Sequence, residues 1–345
     1  MSADRQPSIS PRAFTLAVVA IAALNAVLGL AFAFAVRDPV WSVDIARNLS
    51  AARDLAAGEF GRNRGYLYSP LAALITMPAT WLPASAIVAG WLAARLALVV
   101  DGIRRETAGR RPIDRLAVAI AAATFVPVMY DLMLGNVTTV IAAAVAVVAW
   151  SRDRFATGMA LGIVLATIPK PAIVPVLVWM LVYRRRALVG AITTAGVASL
   201  IGLAVLGAGP YQAYVDILRR PEYLDSPQYG NLALTSLAPT IALVLAVLTV
   251  LGTAVALHIG EAPGLIACLA AGLLLAPYTM GYGPVMMLLA FRPLLAVAPV
   301  RTFLLAVSGS IMVFVSLPIW ALAWIGAAVV VPRGRWVRLM SAVAR

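Results

Sequence analysis

The stretch SVDIARNLSAARDLAAGEFGRNRGYLYSPLAALITMPATWLP, residues 42–83, decides how the chain is arranged. It is charged, and it follows the first long apolar run of a chain that is 63% hydrophobic and only 12% charged. A soluble domain is about half apolar and about a quarter charged, so the composition indicates a polytopic membrane protein. A polar stretch of this length in such a chain is more than a connection between two helices.

The apolar runs predict an all-α fold. Several approach the roughly 20 residues that a helix needs to cross the hydrocarbon core, and their number indicates about ten to twelve transmembrane helices in one integral membrane domain over residues 1–345. The first run has no cleavage site of small residues after it, so we expect a retained span rather than a signal peptide. The predicted spans are residues 13–36, 84–103, 116–130, 137–150, 156–168, 172–183, 187–207, 239–257, 264–277, 283–300, 302–317 and 319–332.

Arginines set the expected orientation, because basic residues collect at the cytoplasmic ends of spans. If residues 71–82 crossed the membrane, the next span would carry the basic stretch RRETAGRRPIDR to the outside. We therefore expect residues 37–83 to form a first extracytoplasmic loop with interfacial helices and residues 208–231 a second, with both termini cytoplasmic. The large excess of arginine over lysine is typical of a high-GC bacterial genome, which favours a bacterial inner membrane. The predicted cytoplasmic arginines are Arg104, Arg105, Arg110, Arg111, Arg115, Arg152, Arg154, Arg184, Arg185, Arg186, Arg301, Arg333, Arg335 and Arg338.

Several classes of partner and site are excluded by composition. The net charge of +13 is distributed over short loops between apolar runs, with no basic soluble domain and no aromatic-basic module, so nucleic acid is not an expected partner. Cys268 is the single cysteine and His258 the single histidine. One thiol cannot form a disulfide framework or a thiolate metal site, and we expect neither a metal nor a cofactor.

Within the long polar stretch, residues 44–60 have the periodicity of an amphipathic helix lying at the membrane surface. Asp44 opens this helix. It is either a functional carboxylate or simply a first-turn acid favoured by the helix dipole. The apolar positions of the helix are Ile45, Leu49, Ala52 and Leu55.

Other polar residues stand out because ionisable groups at membrane depth are costly and often functional. Lys170 is the only lysine, and the prolines on both sides of it interrupt helix. Its alternative role is a cation that reaches out to the interface. Asn136 has a helix cap as its alternative, and Arg95 within a span is expected to reach the interface or to pair internally. Tyr278 and Tyr282 fit an aromatic belt equally well.

Four stretches in order resemble a known family. Asp44 after the first span, followed by LAAGEF, YLYSPL and WLP, is the first; LGNVTTV, GIVLATIPKPAIVPVLVWMLVYRRRAL and YGNLALTSLA are the others. Together they resemble glycosyltransferase family 87, enzymes of the C superfold that depend on polyprenyl-phosphate sugars. The resemblance covers residues 13–300. Asn136 replaces a usual glutamine, Leu232 stands where glutamine is common, and APYTMGYGP lacks the His or Asp of many members.

The resemblance implies an inverting transfer of a sugar, with mannose as the expected sugar, from a polyprenyl-phosphate donor to an envelope glycolipid or glycan at the extracytoplasmic face. Asp44 would be the general base, ahead of Asp38 and Asp54, the other acids considered. The donor phosphate would bind Lys170, Arg62 and Arg64. The substrate pocket would include Tyr66, Tyr68, Asn136, Asn231, Tyr278 and Tyr282.

Two other functions fit parts of the sequence. A lipid or small-molecule transporter is suggested by the interrupted helix pair around Lys170, since broken helices mark many transport sites. A catalytically inactive membrane protein of envelope assembly is suggested by the missing His or Asp in APYTMGYGP. Transfer activity with a polyprenyl-phosphate sugar would distinguish both from a glycosyltransferase.

Overall fold

The computed structural model describes residues 10–35, 42–62, 66–108, 111–219, 233–277, 279–315 and 317–337. All regular elements in these ranges are helical, which confirms the predicted all-α fold. The α-helices are α1 Pro11–Ala35, α2 Val43–Ala56, α3 Pro70–Thr76, α4 Ala84–Glu106, α5 Pro112–Ala123, α6 Val126–Leu134, α7 Thr138–Trp150, α8 Phe155–Thr167, α9 Val174–Tyr183, α10 Arg185–Leu206, α11 Gly209–Leu218, α12 Pro239–Ile259, α13 Glu261–Leu275, α14 Leu288–Val297, α15 Pro299–Val315 and α16 Leu317–Val330. Short 3-10 turns occupy Met77–Trp81, Pro171–Ile173, Leu234–Ser236 and Gly283–Met287.

The long apolar helices confirm a polytopic membrane protein. Within the described ranges, α1, α4, α10 and α12 are each long and apolar enough to cross a membrane. They expose large apolar side chains, among them Leu16, Leu200 and Leu243, as expected where the solvent is lipid. The shorter apolar helices form the remaining segments of the bundle, and the total of ten to twelve crossings stays a prediction.

The segment predicted as one span over residues 116–130 is broken. Helix α5 ends at Ala123, α6 begins at Val126, and their axes differ by 58°. Proline at 127 has no N–H to continue the α5 ladder, and it occupies the first turn of α6, where that N–H is not needed. The break lets α6, which contacts α2, lie at a different angle from α5.

Helix α2 has the buried face that the sequence pattern predicts. Helix α2 buries Ile45, Leu49, Ala52 and Leu55 and packs against α3 and the Met77–Trp81 turn. Helix α3 has seven residues, too few to cross a membrane, which agrees with laying residues 71–82 along a surface. The described parts of residues 37–83 thus form a helical layer over one end of the bundle.

Helices α8 and α10 touch through their backbones near their starts. A β-carbon at Gly158 would lie 1.8 Å from the Ala187 carbonyl oxygen, and one at Gly190 would lie 2.0 Å from that of Phe155. Gly158 and Gly162 form the small-xxx-small spacing that lets membrane helices touch through their backbones. This contact joins α8 and α10 near their starts, and the Lys170 segment follows the far end of α8.

The bundle therefore has two chemically different ends. Helices α4 and α9 end, and α8 and α10 begin, next to arginines such as Arg105, Arg154 and Arg185. At the opposite end lie α2, α3 and the connections α6–α7 and α8–α9. We call these the arginine-rich end and the site end. Between them, α13 is buried along almost its whole length.

Candidate functional site

The α6–α7 connection, residues 132–138, is an elbow that requires glycine. Gly135 ends α6 in the left-handed conformation, with φ of 73°. A β-carbon there would also lie 2.6 Å from Cγ1 of Ile45 on α2. Both the backbone angle and the close approach of α2 favour glycine, and the result is that the interfacial helix sits directly on the elbow.

Neighbouring helices satisfy the carbonyl groups that end α6, which have no partners within that helix. The Trp91 indole N–H donates to the Gly135 carbonyl at 2.9 Å, and Arg95 Nη1 donates to Leu132 at 3.3 Å. The Ser42 N–H, just before α2, donates to the Met133 carbonyl at 2.8 Å. Helices α2 and α4 therefore hold the elbow from two sides.

The elbow presents Asn136 between two charged groups. Its amide Nδ2 donates to Asp44 Oδ2 at 2.6 Å, and its Oδ1 accepts from Lys170 Nζ at 3.2 Å. An amide can donate only through nitrogen and accept only through oxygen, so the carboxylate and the ammonium fix its orientation. We call Asp44, Asn136 and Lys170 the polar cluster.

Asn136 also has the capping role that was its alternative reading. Its Oδ1 accepts from the Thr138 N–H at 3.1 Å and from the Thr138 hydroxyl at 2.7 Å, at the start of α7. One oxygen thus orders the first turn of α7 and receives the Lys170 ammonium. The cap and the cluster are parts of the same arrangement.

Asp44 lies in the first turn of α2, and its side chain is 12% exposed. One carboxylate oxygen accepts from Asn136, and the other lies 3.4 Å from Arg47 Nη1. The second distance is long for a charge-assisted hydrogen bond. The carboxylate is therefore held in place while it keeps lone pairs that can accept a proton.

The partly exposed Lys170 side chain contacts Asn136, and its alternative role as a cation that reaches out to the interface stays a prediction. Its ammonium contacts Asn136, donates to Thr138 Oγ1 at 3.3 Å and lies 4.9 Å from the centre of the Tyr282 ring. Burial lowers the pKa of Lys170 to about 8, although the carboxylates of Asp131 and Asp44 oppose that shift. The Lys170 ammonium is therefore charged at neutral pH, and it loses its proton at a pH where the protein can be studied.

A buried ion pair beneath the elbow was not singled out from the sequence. Arg95 and Asp131 contact each other with exposures of 1% and 0%, and the Thr139 hydroxyl also donates to Asp131. Internal pairing was one of the two expectations for Arg95, and it is confirmed. The sequence could have indicated Asp131, because it is an acid within the apolar run VPVMYDLML. A charged side chain in such a run is costly unless it has a partner.

The tyrosines of the stretch YLYSPL have different surroundings. The Tyr68 hydroxyl lies 3.4 Å from Asn136 Nδ2, so Tyr68 is a direct neighbour of the polar cluster. Tyr66 is buried behind it, with ring centres 5.5 Å apart, and no described residue bonds its hydroxyl. Tyr282 covers Lys170 and lies 6.2 Å from the ring of Tyr130.

Cavities lie on two sides of the polar cluster. One is an apolar cavity under α2 and α3, reaching α4 and the end of α8. The other is smaller and contains Lys170. The apolar cavity is lined by Ile45, Leu49, Tyr68, Ile75, Ile87, Trp91 and Ile168, and the smaller one by Thr138, Lys170, Thr279 and Tyr282, each among other residues.

The remaining predicted site residues are not placed at the cluster. Arg62 is exposed and pairs with Glu59 at 2.5 Å. Arg64, Asn231 and Tyr278 lie outside the described residues, as does Asp38. Among the residues that the structure describes, no three His, Cys, Asp or Glu side chains come together as a metal site.

Comparison with known proteins gives one family. The sequence profile of glycosyltransferase family 87 matches residues 66–291, which is more than half of the chain. No curated protein and no solved structure matches it. The matched range contains Asn136, Lys170 and Tyr282, whereas Asp44 precedes it and is joined to it through Asn136.

Proposed function

The chain belongs to glycosyltransferase family 87, and from this premise we propose that it transfers a sugar, mannose as the first candidate, from a polyprenyl-phosphate donor to an envelope glycolipid or glycan. The transfer takes place at the extracytoplasmic face of a bacterial inner membrane, and both termini are cytoplasmic. It uses neither a metal nor an organic cofactor.

One observation carries the proposal: Asn136 bonds the Asp44 carboxylate with its nitrogen and the Lys170 ammonium with its oxygen. Sugar transfer from a lipid phosphate needs a base for the acceptor hydroxyl and a cation for the leaving phosphate. A single side chain holds both groups in one small region. Preorganised charges of this kind stabilise developing charge without reorganisation during the reaction.

In the proposed reaction, the acceptor hydroxyl oxygen attacks the anomeric carbon of the donor sugar. The new C–O bond forms as the bond between that carbon and the phosphate oxygen breaks, and the electron pair stays on the phosphate. Asp44 accepts the hydroxyl proton. Attack opposite the leaving group inverts the anomeric configuration, and the products are the glycoside and polyprenyl phosphate.

Lys170 is proposed to bind the donor phosphate. Its ammonium lies in the smaller cavity, where Thr138 and Tyr282 complete a polar and aromatic wall. As the phosphate leaves, it gains negative charge, and a partly desolvated cation stabilises that charge more strongly than an exposed one. Arg62 and Arg64 remain candidates for a second phosphate contact, with Arg62 having to leave Glu59.

The apolar cavity beside Tyr68 suits the hydrocarbon of a lipid substrate. It begins at Ile45 and Tyr68, which adjoin the polar cluster, and it continues along Ile75 and Ile87. A prenyl chain in this cavity would set its phosphate at the surface of the bundle, near Lys170. Tyr66 supports Tyr68 from behind, and Asn231 and Tyr278 are kept as proposed pocket residues.

The orientation rests on charge. Many of the arginines flank helix ends opposite the polar cluster, as at Arg105, Arg154 and Arg185. Positive residues favour the cytoplasmic side, so the cluster is assigned to the other side. A polyprenyl-phosphate sugar presented at that face would reach Asp44 without crossing the membrane.

The decisive experiment is transfer in nanodiscs. Purified protein receives a radiolabelled polyprenyl-phosphate sugar together with lipid extract from the same envelope, and lipid-linked and polymeric products are separated. A labelled glycan that requires the protein supports the proposal. Movement of label across proteoliposomes without product would indicate the transporter, and neither activity would indicate an inactive assembly protein.

A further inference from the structure

A third cavity, of about 160 Å³, lies among α1, α4, α5, α7 and α14. It shares no lining residue with the two cavities at the polar cluster. Its wall includes Thr107, which directly follows α4, so the cavity reaches the arginine-rich end of the bundle. We call it the α4 cavity. It has no part in the proposed reaction.

The wall of the α4 cavity is almost wholly apolar. Three threonines belong to it, and each hydroxyl donates to a neighbouring protein oxygen. A cavity lined in this way excludes water and takes up hydrocarbon, and one of about 150 Å³ holds a benzene-sized molecule. The α4 cavity therefore has room for a segment of one alkyl chain. The threonine bonds run from Thr107 to the Ile103 carbonyl at 2.6 Å, from Thr302 to the Ala298 carbonyl at 3.0 Å and from Thr139 to Asp131.

The depth of the cavity matches one leaflet of a bilayer. Its wall runs from Leu98 on α4 to Thr107, which corresponds to about 14 Å along a helix. The hydrocarbon of one leaflet is about 15 Å deep, half of the core that a spanning helix crosses. Helix α4 exposes Leu96 and Val100, as a helix in contact with lipid does. The space behind α4 thus lies at the depth of acyl chains.

Gly102 leaves a gap in the α4 side of the wall. A β-carbon at this position would meet no atom within 4 Å. The neighbouring wall residues Leu98, Val99 and Ile103 are partly exposed. An alkyl chain of the surrounding leaflet can therefore enter past Gly102.

Arg292 carries the only charge among the described residues of the wall. Its guanidinium carbon lies 6.0 Å from the centre of the ring of Trp150, the last residue of α7. Arg335 donates to the Val297 carbonyl at 3.3 Å, so α14 also ends at the arginine-rich end. The charge thus lies toward the leaflet surface, where basic pockets between helices bind anionic headgroups.

We propose that the α4 cavity binds an anionic phospholipid from the leaflet at the arginine-rich end. One acyl chain enters past Gly102, and Arg292 pairs with the phosphate. The occupant is a membrane lipid rather than the sugar donor, because the proposed donor site lies at the opposite end of the bundle. The inference does not depend on sugar transfer.

Lipid crosslinking in nanodiscs tests the site. Phosphatidylglycerol with a diazirine in one acyl chain is irradiated among unlabelled phosphatidylcholine, and labelled peptides are identified by mass spectrometry. We expect adducts on residues 98–107 and 285–295. Phosphatidylcholine with the same diazirine chain should give about fivefold fewer, the effect of one basic residue near the surface. Arg292→Gln should remove that difference, whereas Arg185→Gln, an exposed arginine outside the cavity, should keep it.

A second variant closes the gap without strain. Gly102→Leu places its side chain in open space, so the protein should fold and lose most of the adducts. Gly90→Leu, on the same helix and equally open, is the matched control and should keep them.

Three results would overturn the proposal. The first is equal labelling of Gly102→Leu and the wild type, and the second is equal labelling by the two lipids or adducts spread evenly over the exposed faces of α10 and α12. The third is displacement of the label by polyprenyl phosphate, which would assign the α4 cavity to the donor.

Discussion

The side-chain amide of Asn136 lies 2.6 Å from the carboxylate of Asp44, although the two residues are 92 positions apart in the chain. This bond joins the layer of α2 and α3 to the rest of the helix bundle, where the proposed function has a lipid headgroup and an acceptor meet. It also crosses the boundary of the family match, which begins at residue 66. The proposed base and the proposed phosphate-binding lysine are thereby brought into one site.

Replacing Asp44 tests the base. Asp44→Asn keeps the size and can still accept a bond from Asn136, but it cannot take a proton. Transfer should fall by at least about a hundredfold, the lower end of typical general-base effects, with donor affinity changed only a few-fold. Single-turnover rates and donor binding measure the two quantities. The control is Asp54→Asn on the same helix, and a wild-type rate in folded Asp44→Asn would refute the assignment.

The lowered pKa of Lys170 predicts that donor affinity falls and folding stability rises as the pH increases. Above pH 8 the ammonium loses its proton, so donor affinity should decrease, while in Lys170→Arg it should stay level because a guanidinium remains charged. The folded-state pKa lies below the unfolded value of 10.5, so the unfolded chain binds more protons between these values and stability rises with pH there. Donor titrations and thermal unfolding from pH 7 to about 10 check both trends. A level binding profile in the wild type would exclude Lys170 from the phosphate site.

Asn136 should affect rate and donor affinity together, because it contacts both charged groups. Asn136→Leu removes its hydrogen bonds at similar volume. Each bond to a charged group contributes about 1.5–3 kcal/mol, so kcat and donor affinity should each decrease by roughly tenfold or more. Thr138→Val is the matched control, since it removes a Lys170 contact and leaves the Asp44 bond. A loss confined to affinity in Asn136→Leu would mean that the amide does not orient the base.

Gly135 should tolerate no side chain. Gly135→Ala places a β-carbon against Ile45 and forces alanine to a φ of 73°, for a combined cost of about 2–4 kcal/mol. Thermal unfolding in detergent measures the loss. The double variant Gly135→Ala with Ile45→Ala relieves the contact but not the strained backbone angle. The loss of stability caused by Gly135→Ala should therefore be smaller in an Ile45→Ala background than in the wild type. Full stability of the single variant would show that the elbow is not as tightly packed as described.

Membrane orientation can be tested with single cysteines in a Cys268→Ala background. Glu59→Cys should react with an impermeant maleimide in intact spheroplasts, because α2 and its following turn are assigned to the extracytoplasmic side. Arg185→Cys, at the arginine-rich end, should react only after the membrane is opened. The reverse labelling pattern would place the polar cluster in the cytoplasm and exclude a donor presented outside.

The sequence predicted those features that depend on local pattern. The buried face of α2 follows from the spacing of Ile45, Leu49 and Leu55. The direction of Lys170 could not be predicted, because two prolines show where helix stops but not where a side chain points. Asp131 and Arg95 are 36 residues apart on different helices, and only their tertiary contact reveals the pair.

The backbone contact between α8 and α10 has a mechanical consequence. Helices that touch without intervening side chains cannot slide or tilt without steric overlap, so this pair is the stiff part of the bundle, and Lys170 follows the far end of α8. Helices α2 and α3 are short and rest on side-chain contacts, which makes them the compliant wall. Any widening that admits a substrate should therefore occur on the Asp44 side, and amide exchange should be faster in α2 and α3 than in α8 and α10.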